Sequence, residues 1–226
     1  MARAKLKTVA ASWAVVHKWL DRHAPLVREK LNPPADEAAL ARLATTVRRE
    51  LPEGFLASYR IHDGADRASG PIVGVPLLSA AAIVREWKGL RPKRGQDCPP
   101  PEQPVSARPG AIREVGWSPG WVPFAGPDEE NYLALDFDPG PAGTPGQVIS
   151  FGADQFIYGT PRFVLAPSFG EFMGLLADLF ARGEVEVPPD EPDSAFLQLA
   201  RRRADGAACN LLTGIQLLFR DDRQAG

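Results

Sequence analysis

A helical period predicts the first element over residues 8–31, because apolar side chains recur every three or four positions. Its buried face is formed by Trp13, Val16, His17 and Leu20. Pro25 is expected to kink or end this helix, since proline has no N–H to donate. Asp36 is placed to cap a second helix, because its carboxylate accepts the unpaired N–H groups of a first turn. The buried stripe of that second helix is Leu40, Leu43, Ala44 and Val47.

The next segment alternates helix and strand signals. Pro52 suits the first turn of a third helix that ends at the turn His62-Asp63-Gly64 and buries Phe55, Leu56 and Tyr59. The β-branched run Ile72–Leu78 predicts a strand. Ser79 is placed to cap a further helix, whose stripe is Ile83, Trp87 and Leu90. The proline-rich residues 91–110 predict an exposed, mobile loop.

A period of two marks the centre of the chain. Trp117–Phe124 leads into a strand, and Tyr132–Phe137 alternates between two faces. Leu133, Leu135 and Phe137 share one face, and Tyr132, Ala134 and Asp136 share the other. Together with Gln147–Phe151 across an Asp-Pro-Gly turn, this predicts an antiparallel hairpin. A short strand over Phe163–Leu165 is expected to follow.

The last third of the chain returns to helix. Ser168 and Glu171 have the spacing of a capping box, and an amphipathic helix is predicted after them. Residues 184–193 are acidic and proline-rich, which indicates a linker. Two C-terminal helices are predicted near 196–203 and 211–219. The fold class is therefore α+β, with a mixed, mostly antiparallel sheet flanked by helices.

Composition excludes several classes of protein. The net charge is −2, and no apolar run approaches the roughly 20 residues that a membrane helix needs. The N-terminal region is amphipathic and lacks the apolar core of a signal peptide, so we expect a cytoplasmic protein. Cys98 and Cys209 are too few and too isolated for a zinc site, and the sequence allows either two thiols or one bridge. We expect no metal and no cofactor.

Charge is unevenly distributed along the chain. Residues 114–161 contain seven acidic side chains and no Lys, Arg or His. Such asymmetry bears on partners more than on fold. The candidate partner-binding residues in this part of the chain are Asp128, Glu129, Glu130, Tyr132, Asp136, Asp138 and Asp154. If they converge on one side of the sheet, reversing the charges at 128–130 should slow association with a cationic partner and leave stability nearly unchanged.

Catalytic patterns are weak. Asp136 and Asp138 are two apart and could serve a hydrolase, but a hydrogen-bonded strand residue and a turn residue are the simpler interpretation. The three histidines His17, His23 and His62 are too far apart in sequence to form a recognisable ligand set. Trp117 and Trp121 fit either core packing or a binding surface. The run 201–203 of three arginines fits a solvated helix end better than a nucleic-acid contact.

Five motifs occur in an order that resembles a known family. These are Leu51-Pro52-Glu53-Gly54-Phe55 with Asp63-Gly64, Leu77-Leu78-Ser79 with Trp87, Trp121-Val122-Pro123-Phe124-Ala125, Asn131–Asp136 with the turn after it, and Ala166-Pro167-Ser168-Phe169. They resemble the Smi/Knr-like (SUKH) superfamily over residues 36–182. Acidic Asp128, Glu129 and Glu130 depart from that pattern, where glycines are expected.

The resemblance implies a single α+β core domain at 36–182, with an N-terminal helical extension at 1–35 and a C-terminal linker and helical extension at 183–226. It also implies binding and no catalysis. The first hypothesis is a bacterial immunity protein that neutralises a basic toxin domain, for instance a nuclease. The alternative is a regulatory scaffold protein, like the fungal cell-wall-assembly regulators of the family, and a hydrolase that uses Asp136 is the third. A monomer that binds a protein, and neither membrane nor nucleic acid, is expected.

Overall fold

The computed structural model describes residues 8–91, 106–128, 130–152, 161–202, 206–214 and 218. Most of the proline-rich loop predicted at 91–110 lies outside these ranges, as do Glu129 and Asp154. The described elements form an α+β arrangement in which helices cover one face of a four-stranded antiparallel sheet. The α+β fold class is thus confirmed.

The first helix ends just before Pro25, which is one of the two outcomes predicted there, and a second short helix follows. Helix α1 spans Val9–His23 and α2 spans Pro25–Glu29, so Pro25 begins a new helix at the position where its missing N–H has no cost. Trp13, Val16 and Leu20 are buried, as the period predicts. The hydroxyl of Thr8 accepts from the N–H of Ala11 and caps α1.

Three further helices precede the sheet, and their bounds agree with the predicted caps. Helix α3 spans Glu37–Val47, α4 spans Glu53–Tyr59 and α5 spans Ala80–Gly89. The carboxylate of Asp36 accepts from the N–H of Ala39, and the hydroxyl of Ser79 accepts from the N–H of Ala82. Helices α3 and α5 pack against each other, and α5 also contacts the first strand.

The sheet is a meander of four strands in sequence order: β1 Trp121–Asp128, β2 Asn131–Asp136, β3 Gln147–Gly152 and β4 Val164–Ala166. Strands β2 and β3 pair antiparallel, with Tyr132 opposite Phe151 and Asp136 opposite Gln147, which confirms the predicted hairpin. Helix α6 follows over Phe169–Ala181, capped by the Ser168 hydroxyl, which accepts from the N–H of Glu171.

Both faces of the sheet are buried. Leu133 and Leu135 join the main core beneath the helices, where Phe124 meets Phe169 and Phe172 at ring-centroid distances of 5.2 and 5.4 Å. The opposite face forms a smaller core around Trp121, Ile112, Tyr132, Ala134, Ile149 and Phe151. The period-two pattern therefore separates two apolar environments, and neither face of β2 is turned to solvent.

The strand predicted over Ile72–Leu78 is absent. Ile72 and Val75 exchange backbone hydrogen bonds across a tight turn, in which Val73 and Gly74 have φ of 48° and 86°. Leu77 alone pairs with a strand, as a single bridge to Ala125. The left-handed conformation at two successive residues breaks the extended run that the β-branched composition predicts.

The C-terminal predictions also need correction. Residues 184–193 are partly ordered rather than a plain linker, because β5 Val185–Glu186 pairs antiparallel with β6 Gln198–Leu199. The helix predicted near 196–203 is therefore wrong. Arg201 pairs with Glu184 at 3.1 Å, and Arg202 pairs with Glu186 at 2.7 Å. Tertiary pairing overrides helix propensity here. Of the helix predicted at 211–219, residues 211–214 form a turn.

The predicted domain boundaries cut through one hydrophobic core. Leu20 from the N-terminal segment and Leu199 and Leu211 from the C-terminal segment belong to the same buried cluster as the central strands. Helix α1 lies along α6, and Trp19 meets Phe180 edge to face at 5.1 Å. The described parts of all three predicted segments thus contribute to the main core.

Candidate partner-binding cleft

Asp136 and Asp138 are structural in this fold. Asp136 has no exposed surface; its Oδ1 accepts from the N–H of Asp138, and its Oδ2 accepts from Nε2 of Gln147 at 2.9 Å. Burial raises the pKa of the Asp136 carboxyl, and those hydrogen bonds oppose the rise. Asp138 accepts from the Ser118 hydroxyl and pairs with Arg113, both at 2.7 Å. Neither carboxylate offers the open geometry that hydrolysis needs.

The predicted acidic residues at the β1–β2 turn have different surroundings. Oδ2 of Asp128 accepts from Nδ2 of Asn210 at 2.7 Å, so this carboxylate ties the strand to the C-terminal segment. Glu130 is exposed and has φ of 64°, and no hydrogen bond or ion pair to its side chain is found among the described residues. The reversal of all three charges at 128–130 therefore cannot be neutral for folding, because it removes the Asn210 contact.

Tyr132 joins the turn to a cleft. Its ring stacks on Phe151 at a centroid distance of 5.4 Å and an interplanar angle of 20°. Its hydroxyl donates to Oε2 of Glu86 at 3.4 Å, which connects β2 to α5. Burial, followed by the charges of Glu86 and Glu130, raises the pKa of Tyr132 to about 12, so the phenol is neutral at physiological pH.

The cleft lies between α5, the loop before β1, and the ends of β2 and β3. Its volume is about 530 Å³, which is within the usual size of a small ligand site. Aromatic and acidic side chains alternate around it. The lining residues used below are Glu86, Leu90, Trp117, Glu130, Tyr132 and Phe151.

The two tryptophans considered from the sequence have separate roles. Trp121 is fully buried in the smaller core, whereas Trp117 is only partly buried and lines the cleft. The indole Nε1 of Trp117 is shielded from solvent and has no hydrogen-bond partner among the described groups. Trp117 thus lines the cleft with part of its aromatic ring, while its indole N–H lies in a shielded position.

The charges around the cleft are mostly negative. Glu86 pairs with Arg67 at 3.3 Å, and its side chain is 17% exposed. Glu130 adds a second carboxylate with no cation recorded beside it. Among the described residues that line the cleft, the charged side chains are thus one carboxylate paired with Arg67 and one with no ion pair, while Arg91 and Arg162 are held nearby on Trp87 and Trp121. The lining side chains themselves favour a cationic group over an anion.

The sequence contained only part of this site. Glu130 and Tyr132 were predicted as binding residues, but Glu86 was not, because it lies beside the buried stripe of α5 with no distinguishing motif. Phe151 was predicted only as a strand residue. The contribution of α5 depends on its packing against β1, which local periodicity does not report.

The structure places no group of three or more His, Cys, Asp or Glu side chains where they could hold a metal ion, within the ranges it describes. No helix within those ranges is long and apolar enough to cross a membrane. Cys209 is buried, and its thiol donates to the carbonyl of Arg201 at 3.5 Å; Cys98 lies outside the described residues.

Comparison with known proteins shows which family this chain resembles. The family model described as SMI1 / KNR4 family (SUKH-1) matches residues 34–174. A KNR4/SMI1 homolog of Yarrowia lipolytica is 30% identical over 237 residues, which covers 84% of this chain and 33% of that protein. The cell wall biosynthesis/cell cycle regulator smi1 of Schizosaccharomyces pombe is 31% identical over 196 residues, covering 81% of this chain and 38% of that protein.

The glucan synthesis regulatory protein of Neurospora crassa is 26% identical over 239 residues, covering 90% of this chain and 44% of that protein. The chain therefore spans less than half the length of these curated relatives. The relatives from S. pombe and N. crassa carry the names of regulators, so the bacterial immunity type expected from the sequence finds no specific support among these relatives, while the broader family does. This chain belongs to the SMI1/KNR4 (SUKH-1) family.

Proposed function

We propose that this chain is a non-catalytic regulatory domain that binds a protein partner in the cytoplasm through the cleft at the ends of β2 and β3. The observation that carries the proposal is the position of Glu130 and Tyr132, which line a cleft and are not part of the fold's main core. The names of the relatives from S. pombe and N. crassa support a regulatory role.

Regulation is favoured over immunity because the relatives named by role are regulators. The cleft chemistry alone serves either role, since an acidic surface also suits a basic toxin domain. A catalytic role for Asp136 is disfavoured by its complete burial and by its two hydrogen bonds. Binding without turnover is the function that the geometry supports best.

The test compares partner capture by three forms of the full chain. Wild type, Glu130→Lys and the control Glu50→Lys are used as bait in lysate of the source organism, and recovered proteins are quantified by mass spectrometry. Glu50 is also exposed but does not line the cleft. We expect at least one protein whose recovery falls with Glu130→Lys and is retained with Glu50→Lys. Equal recovery by all three forms would show that the partner docks elsewhere.

A further inference from the structure

From this geometry we infer that the cleft takes an arginine side chain presented by the partner protein. This inference rests on the proposed function, since it names the chemistry of the group that the partner inserts. It is drawn from the aromatic walls, the free carboxylate and the size of the cleft taken together.

A guanidinium matches the walls of the cleft. Arginine stacks on aromatic rings and donates in a planar fork to carboxylates, whereas an ammonium is a compact and strongly hydrated point charge. Trp117, which is partly buried, supplies ring surface, whereas the nearly buried rings of Tyr132 and Phe151 line the cleft with little exposed area. Glu130 supplies an exposed carboxylate for which the described residues show no partner. The cleft therefore contains the two kinds of group that bind arginine, an aromatic ring and a carboxylate.

The surrounding fold already uses this interaction twice. The guanidinium carbon of Arg91, two residues past the end of α5 and next to Leu90, lies 4.2 Å from the ring centroid of Trp87. The guanidinium carbon of Arg162 lies 4.7 Å from the ring of Trp121, and the group donates to the carbonyls of Val115 and Gly116 next to Trp117. Two buried tryptophans near the cleft thus each hold a guanidinium against the ring.

Charge and volume narrow the choice of ligand. Arg67 neutralises Glu86, so Glu130 carries the excess negative charge of the cleft. The pKa of Tyr132 is raised mainly by burial, with smaller contributions from the charges of Glu86 and Glu130, and Arg67 opposes the rise. A volume of about 530 Å³ is larger than one side chain, so it also has room for the backbone of the segment that carries the arginine.

The experiment uses the full chain and three blocked tripeptides, Gly-Arg-Gly, Gly-Lys-Gly and Gly-citrulline-Gly. Citrulline keeps the shape of arginine and removes its charge. Binding is followed by NMR through the indole N–H of Trp117 and the backbone N–H of Gly152. We expect saturable shifts of both signals with the arginine peptide, weaker shifts with the lysine peptide, none with citrulline, and a loss of affinity in high salt.

Matched variants assign the effect to one carboxylate. Asparagine tolerates positive φ, so Glu130→Asn removes the charge without adding backbone strain at φ of 64°. We expect Glu130→Asn to weaken arginine-peptide binding about threefold to tenfold, and Glu50→Asn to leave it unchanged. Equal binding of the citrulline and arginine peptides would overturn the inference, as would tighter binding of the lysine peptide, or shifts confined to signals outside the cleft.

The failure of this inference is distinguishable from the failure of the proposed function. If no peptide binds the cleft but Glu130→Lys still abolishes partner capture, the cleft binds the partner by a group other than arginine. If the arginine peptide binds and capture is unaffected by Glu130→Lys, the cleft recognises arginine but is not where the captured partner docks.

Discussion

The Nε2 atoms of His17 and His62 lie 2.8 Å apart, although 45 residues separate them in sequence. Nδ1 of His62 lies 2.7 Å from the carbonyl oxygen of Asn32, which can only accept, so Nδ1 carries the proton. In the neutral pair, Nε2 of His62 is then the acceptor, and Nε2–H of His17 donates to it. The sequence separation had argued against any such cluster, and it forms because α1 runs parallel to α4, with Trp13 hydrogen-bonded to Ser58 one turn before His17 reaches His62.

This pair predicts a loss of stability in acid. Burial lowers the pKa of His17 to about 4, with Arg28 and His62 adding to the effect and Asp21 opposing it. Burial also lowers the pKa of His62, again with help from Arg28. An unfolded histidine titrates near about 6.5, so the unfolded state binds protons first as the pH falls. The neutral pair therefore makes its full contribution to the free energy of unfolding above about pH 6.5. This contribution is lost progressively as the pH falls toward 4.

The measurement is urea unfolding at several pH values between neutrality and the lower pKa. We expect the wild type to lose about 1–2 kcal/mol more than His17→Gln over this range, an amount reduced by the partial solvation of His17. His23→Gln is the control, because His23 is exposed. Identical pH dependence in wild type and His17→Gln would contradict the prediction.

The N-terminal helix is expected to be essential for folding. The side chain of Leu20 in α1 is fully buried in the main core, whereas Leu26 in α2 is 40% exposed. Leu20→Ala should lower the free energy of unfolding by about 2–5 kcal/mol, and Leu26→Ala should change it by less than about 0.5 kcal/mol. Chemical denaturation of the two variants checks this. Similar small effects would show that residues 1–35 form a detachable extension.

The turn at Val73 and Gly74 should tolerate no side chain at its second position. A Cβ on Gly74 would lie 2.4 Å from the carbonyl oxygen of Leu197, and the residue has φ of 86°. Gly74→Ala should therefore destabilise the protein by more than about 2 kcal/mol.

The matched control is Gly174→Ala in α6, where a Cβ meets nothing within 4 Å. We expect this change to stabilise the protein by about 0.5–1 kcal/mol, because alanine is the better helix former. Thermal unfolding of both variants gives the comparison. Opposite signs are expected, and a Gly74→Ala variant as stable as wild type would show that this turn can be rebuilt as an extended strand.

Asp136 is expected to matter for stability and not for turnover. In Asp136→Asn, the new N–H group in place of Oδ2 would face the donor Nε2 of Gln147. Gln147 cannot rotate its amide freely, since its Oε1 accepts from the N–H of Thr144 and its Nε2 donates to the carbonyl of Ala111.

We expect Asp136→Asn to lower the free energy of unfolding by about 1–2 kcal/mol. The variant no longer buries a charge, and this gain offsets part of the hydrogen-bond mismatch. Asp190→Asn, at an exposed position, should cost less than about 0.5 kcal/mol. Urea unfolding compares the two variants. A hydrolase activity lost in a stable Asp136→Asn protein would restore the catalytic hypothesis.

The sequence predicted the elements that depend only on residues close together in the chain. Capping by Asp36, Ser79 and Ser168 sets the starts of α3, α5 and α6, and these were predicted correctly because a cap needs only its own first turn. The hairpin of β2 and β3 was also predicted, since strict alternation and a turn lie within one short segment.

Features that depend on distant pairing were not predicted. Leu199 lies in a strand rather than a helix because Val185 pairs with it. Asp136 was interpreted as a solvated or hydrogen-bonded strand residue, and nothing in β2 itself reveals that Ile112 and Trp121 cover that face and leave only the hydrogen-bonded alternative. Glu86 joins Tyr132 only through the packing of α5 on the sheet. Such contacts are tertiary, so one sequence carries no periodic signal for them.

The burial of β2 on both faces limits how relatives can diverge. Substitutions within 132–135 must keep two cores filled at once, so the middle of the strand has little freedom to acquire a new specificity. Glu130, in the turn that joins β1 to β2, is exposed and does not have to fill either core. Family members that recognise different partners are therefore expected to differ at the strand ends and the adjoining loops, while the sheet beneath them stays nearly interchangeable.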